Sequence, residues 1–218
     1  MKKLLIAVAA SIAALSAPLV HAREVYGQIG TEGVGIGYSE PLGTHDNIRA
    51  EFNGFSFSHS FDAGQLHYDG TAHIYHGGLY LDFFPAPNTI GFRLTAGALI
   101  GGDHVDATAT SLTSTYTYNG TTYSTLGENI HAKARFPTVR PYIGIGFGHT
   151  PVAAKGFSAF FDAGVAFGRP TIDQFDVPAN IVAAVSQTAV DQQKQDLQGK
   201  ADKLRFYPIV KVGVTYSF

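Results

Sequence analysis

Over most of this chain, apolar residues occupy every second position. That period belongs to strands lying between two unlike environments. From 157 to 168, Phe157, Ala159, Phe161, Ala163, Val165 and Phe167 share a face. Ser158, Asp162, Gly164, Ala166 and Gly168 share the other, with Phe160 out of phase. From 90 to 103, Ile90, Phe92, Leu94, Ala96, Ala98 and Ile100 oppose Arg93, Thr95, Gly97 and Asp103. The chain closes on the same pattern, with Leu204, Phe206, Val210, Val212, Val214, Tyr216 and Phe218 opposite Arg205, Lys211, Thr215 and Ser217. Arg49 and Glu51 alternate with Ile48, Ala50 and Phe52, and Tyr80 and Asp82 alternate with Leu79, Leu81 and Phe83. Segments 24–30, 33–40, 66–84 and 128–148 complete the strands. Within 128–148 the apolar phase shifts between Pro137 and Pro141, which predicts a bulge. One stretch departs from the period. From Ala179 to about Ala201 there are no aromatics, and Ile181, Val185 and Ala189 recur at i+4, so a helix is expected there.

The connections alternate in length: 41–47 short, 60–65 medium, 85–88 very short, 104–127 long, 149–155 short and 169–203 long. Outer-membrane barrels have short turns on the periplasmic side and long loops outside. With both chain ends periplasmic, 24–30 and 33–40 become separate strands joined by a turn at Thr31-Glu32. The expected fold is therefore all-β: an eight-stranded antiparallel transmembrane β-barrel with one helical segment, about 179–201, in the last long loop. A soluble sandwich also alternates. Here, however, the charges sit singly on faces rich in Gly, Ser and Thr, which suits a narrow polar lumen.

The start of the chain supports export. Met1-Lys2-Lys3 precedes an uncharged stretch to Val20, and Val20-His21-Ala22 is an A-x-A-like cleavage site. Residues 1–22 read as a secretory signal peptide, leaving 23–218 as the barrel. Composition agrees. Only 15% of residues are charged, against roughly 25% in ordinary soluble domains. There are 25 Gly and no Cys. The lack of Cys excludes disulfides, thiolate metal sites and thiol nucleophiles. Lys plus Arg (15) does not exceed Asp plus Glu (17), which argues against a nucleic-acid partner.

The signal peptide, the alternating strands and the ending Val210-Lys211-Val212-Gly213-Val214-Thr215-Tyr216-Ser217-Phe218 resemble the small outer-membrane β-barrel proteins of Gram-negative bacteria, of the OmpX/OmpW-like kind. The resemblance implies the cell outer membrane as location and outer-membrane lipid as solvent. It also implies that the terminal Phe218 is the signal read by the barrel-insertion machinery.

Several residues are candidates for chemistry. Arg49, Glu51, Asp82, Arg93, Lys133, Arg135, Asp162, Arg205 and Lys211 are expected to face the lumen. Buried charges must pair, so they should form an ion-pair network, which as a gate would be a narrow pore. Tyr38, Phe83, Phe92, Phe147, Phe157 and Tyr216, with Phe84 and Phe218 nearby, fall at periplasmic strand ends and suggest an aromatic girdle. His73 and His76 face opposite sides of one strand and cannot share a metal. His59, His67, His104 and His131 flank the outer loops, where four imidazoles near one rim would resemble a zinc set; strand-end histidines are more simply rim polar groups, and no metal or cofactor is assigned. Ser58, His59, Ser60 and Asp62 have the alphabet of a hydrolase, but both serines face away from His59. Asn119-Gly120 is a hairpin signal, so 104–127 should protrude as an extracellular hairpin whose exposed edge could pair with a partner strand. The reading is an integral outer-membrane protein with a structural or surface-interaction role and no enzymatic activity. A narrow channel for small solutes and a lipid-modifying enzyme, such as a lipid A acyl hydrolase, are the alternatives.

Overall fold

The computed structural model describes residues 23–63, 66–111, 115–118, 120–124 and 129–218. The proposed cleavage site and Asn119 lie outside these residues. Eight strands close an antiparallel ring: β1 (Glu24–Gly30), β2 (Gly33–Pro41), β3 (Asp46–Ala63), β4 (Leu66–Phe83), β5 (Phe92–Gly101), β10 (Val139–Phe147), β11 (Gly156–Phe167) and β13 (Phe206–Ser217). The tight turn at Thr31-Glu32 separates β1 from β2, so 24–40 is two strands. Closure satisfies the backbone groups of every stave without an open edge. Residues on the ring's outer face, such as Ile36, Leu81, Ile143 and Val214, are about half exposed, while Arg49, Arg93 and Lys211 are buried inside. That is the reverse of a soluble barrel. Among the described residues, no helix is long and apolar enough to cross a membrane.

Above the ring the wall opens. β3 and β4 run on as a pair of 18-residue strands, in register from Asp46 opposite Phe83 to Ala63 opposite Leu66, so the medium loop expected at 60–65 is mostly strand. The other staves on that side break at the same level and resume: β5 as β6 (His104–Ser111), β10 as β9 (Asn129–Arg135), and β11 as β12 (Thr171–Asp176). The order β3-β4-β6-β9-β12 repeats the ring order β3-β4-β5-β10-β11, so one side of the barrel continues upward as an open lateral sheet. The segment 128–148 is thus not one bulged strand. Its phase shift marks the passage at 136–138 from lateral sheet to barrel, tied by Phe136 N–H to Asp103 O at 2.9 Å and Gly101 N–H to Thr138 O at 2.9 Å. A small hairpin, β7 (Thr115–Tyr118) with β8 (Thr121–Ser124), rises between β6 and β9, with Gly120 in the positive-φ region (φ +79°) that such a turn needs.

The helical segment forms where expected but is broken. α1 (Ala179–Val185) and α2 (Gln187–Ala201) meet at Ser186, whose φ of +81° turns the chain. α2 covers the outer edge of β12. The Gln198 side chain accepts from Ile172 N–H (2.8 Å) and donates to Pro170 O (2.9 Å), as a neighbouring strand would.

The ring interior is packed by rings laid against glycines. A Cβ added at Gly144 or Gly164 would land on the Tyr142 hydroxyl, one at Gly37 on Tyr26, and one at Gly213 on Phe160. Gly164→Val therefore overpacks the lumen and should lower stability by about 1–3 kcal/mol. It should be read as a lower temperature for conversion of the folded, fast-migrating gel band. Gly27 faces outward with nothing within 4 Å of an added Cβ, so Gly27→Val should leave that temperature unchanged.

Candidate functional site

The lumen is a column of paired charges in three tiers. In the lowest, Arg49 of β3 donates to Asp82 of β4 (Nε–Oδ2 2.5 Å, Nη2–Oδ1 3.1 Å) and to Asp162 of β11 (Nη1–Oδ2 3.2 Å). β3 and β11 lie four staves apart in a ring of eight, so this contact spans the barrel's diameter. Arg93 of β5 pairs with Asp162 and lies 3.5 Å from Asp82, and Thr95 donates to Asp82 at 2.6 Å. In the middle tier Glu51 accepts from Lys211 Nζ (2.5 Å), Tyr26 Oη (3.0 Å), Tyr80 Oη (3.0 Å) and Asn53 Nδ2 (2.8 Å). In the upper tier His76 bridges Glu32 (Nε2–Oε1 2.8 Å) and Asp103 (Nδ1–Oδ2 2.9 Å), and Arg140 also pairs with Asp103. Asp103 sits where β5 ends. Burial would raise its carboxyl, but the His76 hydrogen bond and the charges of His76 and Arg140 hold it below the usual range.

The lower mouth is stoppered. Phe84 is fully buried there, so it is not part of an outward girdle. Beside it His149, in the turn after β10, packs on Tyr26 and Phe160 (centroids 4.6 and 4.2 Å). Burial, reinforced by the charges of Arg49, Arg93 and Lys211, pushes this imidazole well below its ordinary range. Its Nδ1 lies 2.7 Å from Glu24 Oε2.

Of the nine residues expected in the lumen, six meet there: Arg49, Glu51, Asp82, Arg93, Asp162 and Lys211. The other three do not. Lys133 and Arg135 lie on β9 of the lateral sheet, pairing with Asp106 (3.1 Å) and Asp173 (2.9 Å). Arg205 precedes β13 at the upper rim, with its guanidinium over the Phe206 ring at 4.9 Å. Their alternation is real, but it separates the two faces of an open sheet or a rim from its surroundings. Glu24, Glu32, His76, Asp103, Arg140 and His149 complete the buried set. His76 and Arg140 share the inward phase of Tyr80 and Tyr142, so that phase was the signal for them. Glu32 and His149 lie in turns, where no period points inward. The six residues of the proposed girdle sit at one rim, facing outward, with Phe92 against Phe147 (5.4 Å) and Phe157 against Tyr216 (4.9 Å). Tyr38 donates to Glu40, which also holds Arg23 at 3.0 Å. Phe218 closes the chain, its N–H on Arg23 O at 3.0 Å.

Where β3 and β4 pass unbroken from the ring into the lateral sheet, their polarity inverts. In β3 the inward Asn47, Arg49, Glu51 and Asn53 give way along the same face to Phe55, Phe57 and His59. The outward Ile48, Ala50 and Phe52 give way to Ser56, Ser58 and Ser60. β4 inverts at the same height, with Ile74 and Ala72 on the inner phase and His73 and Thr71 on the outer. The four histidines flanking the outer loops do not come together as one set. His59 and His67 lie on opposite faces of the hairpin, and His131 pairs in register with Thr108, four residues beyond His104. His59 stacks on Phe57, while Ser58 bonds Thr71 (2.9 Å) and Ser60 bonds Asp69 (2.5 Å), so those three residues make no nucleophile–base pair. The segment 104–111 is also not an edge. β6 lies between β4 and β9; among the described strands of the lateral sheet, β12 and 55–63 of β3 have a strand on one side only, and α2 covers the other side of β12.

No family model and no curated protein matches this chain. Two crystal structures of Acinetobacter baumannii proteins, CarO and CarO2, are similar to it in fold, with TM-scores of 0.59 and 0.58 at 20% and 19% identity. Both alignments cover 93% of this chain and 100% of the other. The likeness is one of β-barrel architecture.

Removing one member of a buried charge pair strands the others. Arg49→Met leaves Asp82 and Asp162 short of a cation and should cost about 3–5 kcal/mol in urea unfolding. Arg135→Ala, which breaks an exposed pair, should cost about 0–1 kcal/mol. Equal losses for the two would contradict this placement.

Proposed function

We propose that this chain is an integral outer-membrane protein whose barrel is a closed anchor and whose role, structural or in surface interaction, is carried by the lateral sheet. The observation that carries this reading is the Arg49–Asp162 contact across the ring's diameter. An eight-stranded ring is just wide enough for its side chains to fill, and here the filling side chains are ion-paired and laid against glycine. A channel would require these pairs to part. The apolar outer face of the ring supports lipid as its surroundings, and Tyr38, Phe83, Phe92, Phe147, Phe157 and Tyr216 support a girdle at the rim that holds both chain ends. The polarity inversion at Gly54 and Tyr75 is what a strand leaving lipid for water requires. With the chain ends periplasmic, the lateral sheet stands outside the cell and Phe218 is available to the insertion machinery. The alternating strands and the 210–218 ending resemble those of the OmpX/OmpW-like barrels, which supports this reading. The 55–63 edge of β3, flanked by the exposed Phe55 and Phe57, offers backbone groups to an extended partner strand.

Two measurements test this. In planar bilayers and liposome-swelling assays the refolded protein should conduct no better than protein-free membranes. Solute flux rising in proportion to reconstituted protein would overturn the closed anchor. The absence of native Cys makes surface labelling clean. Gln195→Cys on α2 should react with an impermeant maleimide on intact cells, and Lys155→Cys in the turn between β10 and β11 should react only after lysis. The reverse result would overturn the orientation.

A further inference from the structure

We infer that His73, His104 and Asp106 form a binding site for a divalent transition-metal ion of borderline softness, of which zinc is the type. The site lies on the outer face of the lateral sheet, at the first pair above the level where β5 leaves β4. His73 of β4 stands directly opposite His104 of β6, and Asp106 follows two residues along the same face. Thirty residues of chain separate the two histidines, so only the strand pairing brings them together.

The geometry suits a metal. His104 Nε2 lies 3.3 Å from Asp106 Oδ2, His73 Nε2 lies 3.8 Å from the same oxygen, and all three ligand atoms fall within 4.8 Å of one another. A tetrahedral ion with bonds of about 2.0–2.1 Å holds its ligands about 3.3–3.4 Å apart, so small side-chain movements complete the triangle. The two imidazoles stack at 4.9 Å with an interplanar angle of 27°, and both Nε2 atoms approach the same Asp106 oxygen.

The surrounding contacts select the right ring nitrogens. His104 Nδ1 lies 2.8 Å from Gly102 O, which can only accept, so Nδ1 is the donor there and Nε2 is the nitrogen that faces Asp106. His73 Nδ1 is held by Ser56 Oγ at 3.2 Å. Metal-bound histidines are oriented in this way by a partner on the second nitrogen. Two imidazoles and one carboxylate favour zinc, nickel or copper over magnesium or calcium. All three side chains are partly exposed, which leaves a coordination position for water. The same three residues do not make a hydrolytic triad with Ser56. Asp106 is closer to His104 than to His73, and its distance to His73 exceeds a hydrogen bond.

Two cations border the site. Lys133 Nζ holds the other carboxylate oxygen, Oδ1, at 3.1 Å, so Asp106 serves as a one-oxygen ligand. Arg135, in register with His104, is turned to Asp173 at 2.9 Å. Lys133 is thus the local opponent of a bound dication. The ion would clamp β4 to β6 at the point where the sheet leaves the barrel.

The test uses tag-free, refolded full-length barrel in detergent, titrated with Co2+ by absorbance and with Zn2+ by calorimetry. One equivalent should bind. His73→Ala, His104→Ala and Asp106→Asn should each weaken binding by about tenfold or more, and Ser56→Ala by less. Lys133→Met should bind as tightly or more tightly. Heat-modifiable gel mobility checks that each variant folds. For any that does not, zinc-edge absorption on the unaltered protein replaces it and should count two imidazoles. Wild-type binding no tighter than that of the folded triple variant, single variants that bind like wild type, or fewer than two imidazoles at the zinc would each overturn the site.

Discussion

Arg49 reaches across the barrel and touches Asp162 on the opposite wall. The lumen at this level is one pair of side chains wide, and Arg49, Asp82, Arg93 and Asp162 are all buried. A charge in such a place is tolerated only when it is paired and its remaining hydrogen-bonding atoms are met. Much of the structure follows from that constraint. Two arginines require two carboxylates, and Thr95 shares the load on one of them. Tyr26 and Tyr80 spend their hydroxyls on Glu51, so their rings must lie across the lumen, and the walls facing them must be glycine. The scarcity of charge in the whole chain has the same cause, since one strand face is apolar and the other has room for few ions.

The second organising feature is the level at which the ring stops being a ring. β5, β10 and β11 each break there, β3 and β4 do not, and the amphipathic sense of the continuous strands reverses within two residues. An open sheet has edges, which closed barrels avoid. One edge is masked by α2, with Gln198 standing in for a strand. The other, on β3, has no such cover among the described strands. The paired His73 and His104 occupy the hinge between the two architectures.

The strand pattern was readable because each stave separates two environments, and a period of two records that directly. The turn at Thr31-Glu32, the strand count and the inward placement of Arg49, Glu51, Asp82, Arg93, Asp162 and Lys211 could all be taken from it. The same signal misplaced Lys133, Arg135 and Arg205. Alternation reports that a strand has two different faces; it does not report what either face meets. The prolines at 137 and 141 marked a change in the chain but not its kind. A bulge within one strand and a passage between two sheet regions shift the phase alike.

By itself, then, the sequence determined an eight-stranded antiparallel barrel, its helical late excursion and half of its buried acidic and basic residues, because those depend on local period and on turn length. Only the tertiary structure decided which charges meet. Arg49 finds Asp162 and His73 finds His104 through strand pairing, at separations of 113 and 31 residues, for which a single chain carries no local signal. It also decided that the wall opens above the rim, since backbone pairing there passes from β5 to β6 along one uninterrupted strand of β4, a choice made by neighbours in space.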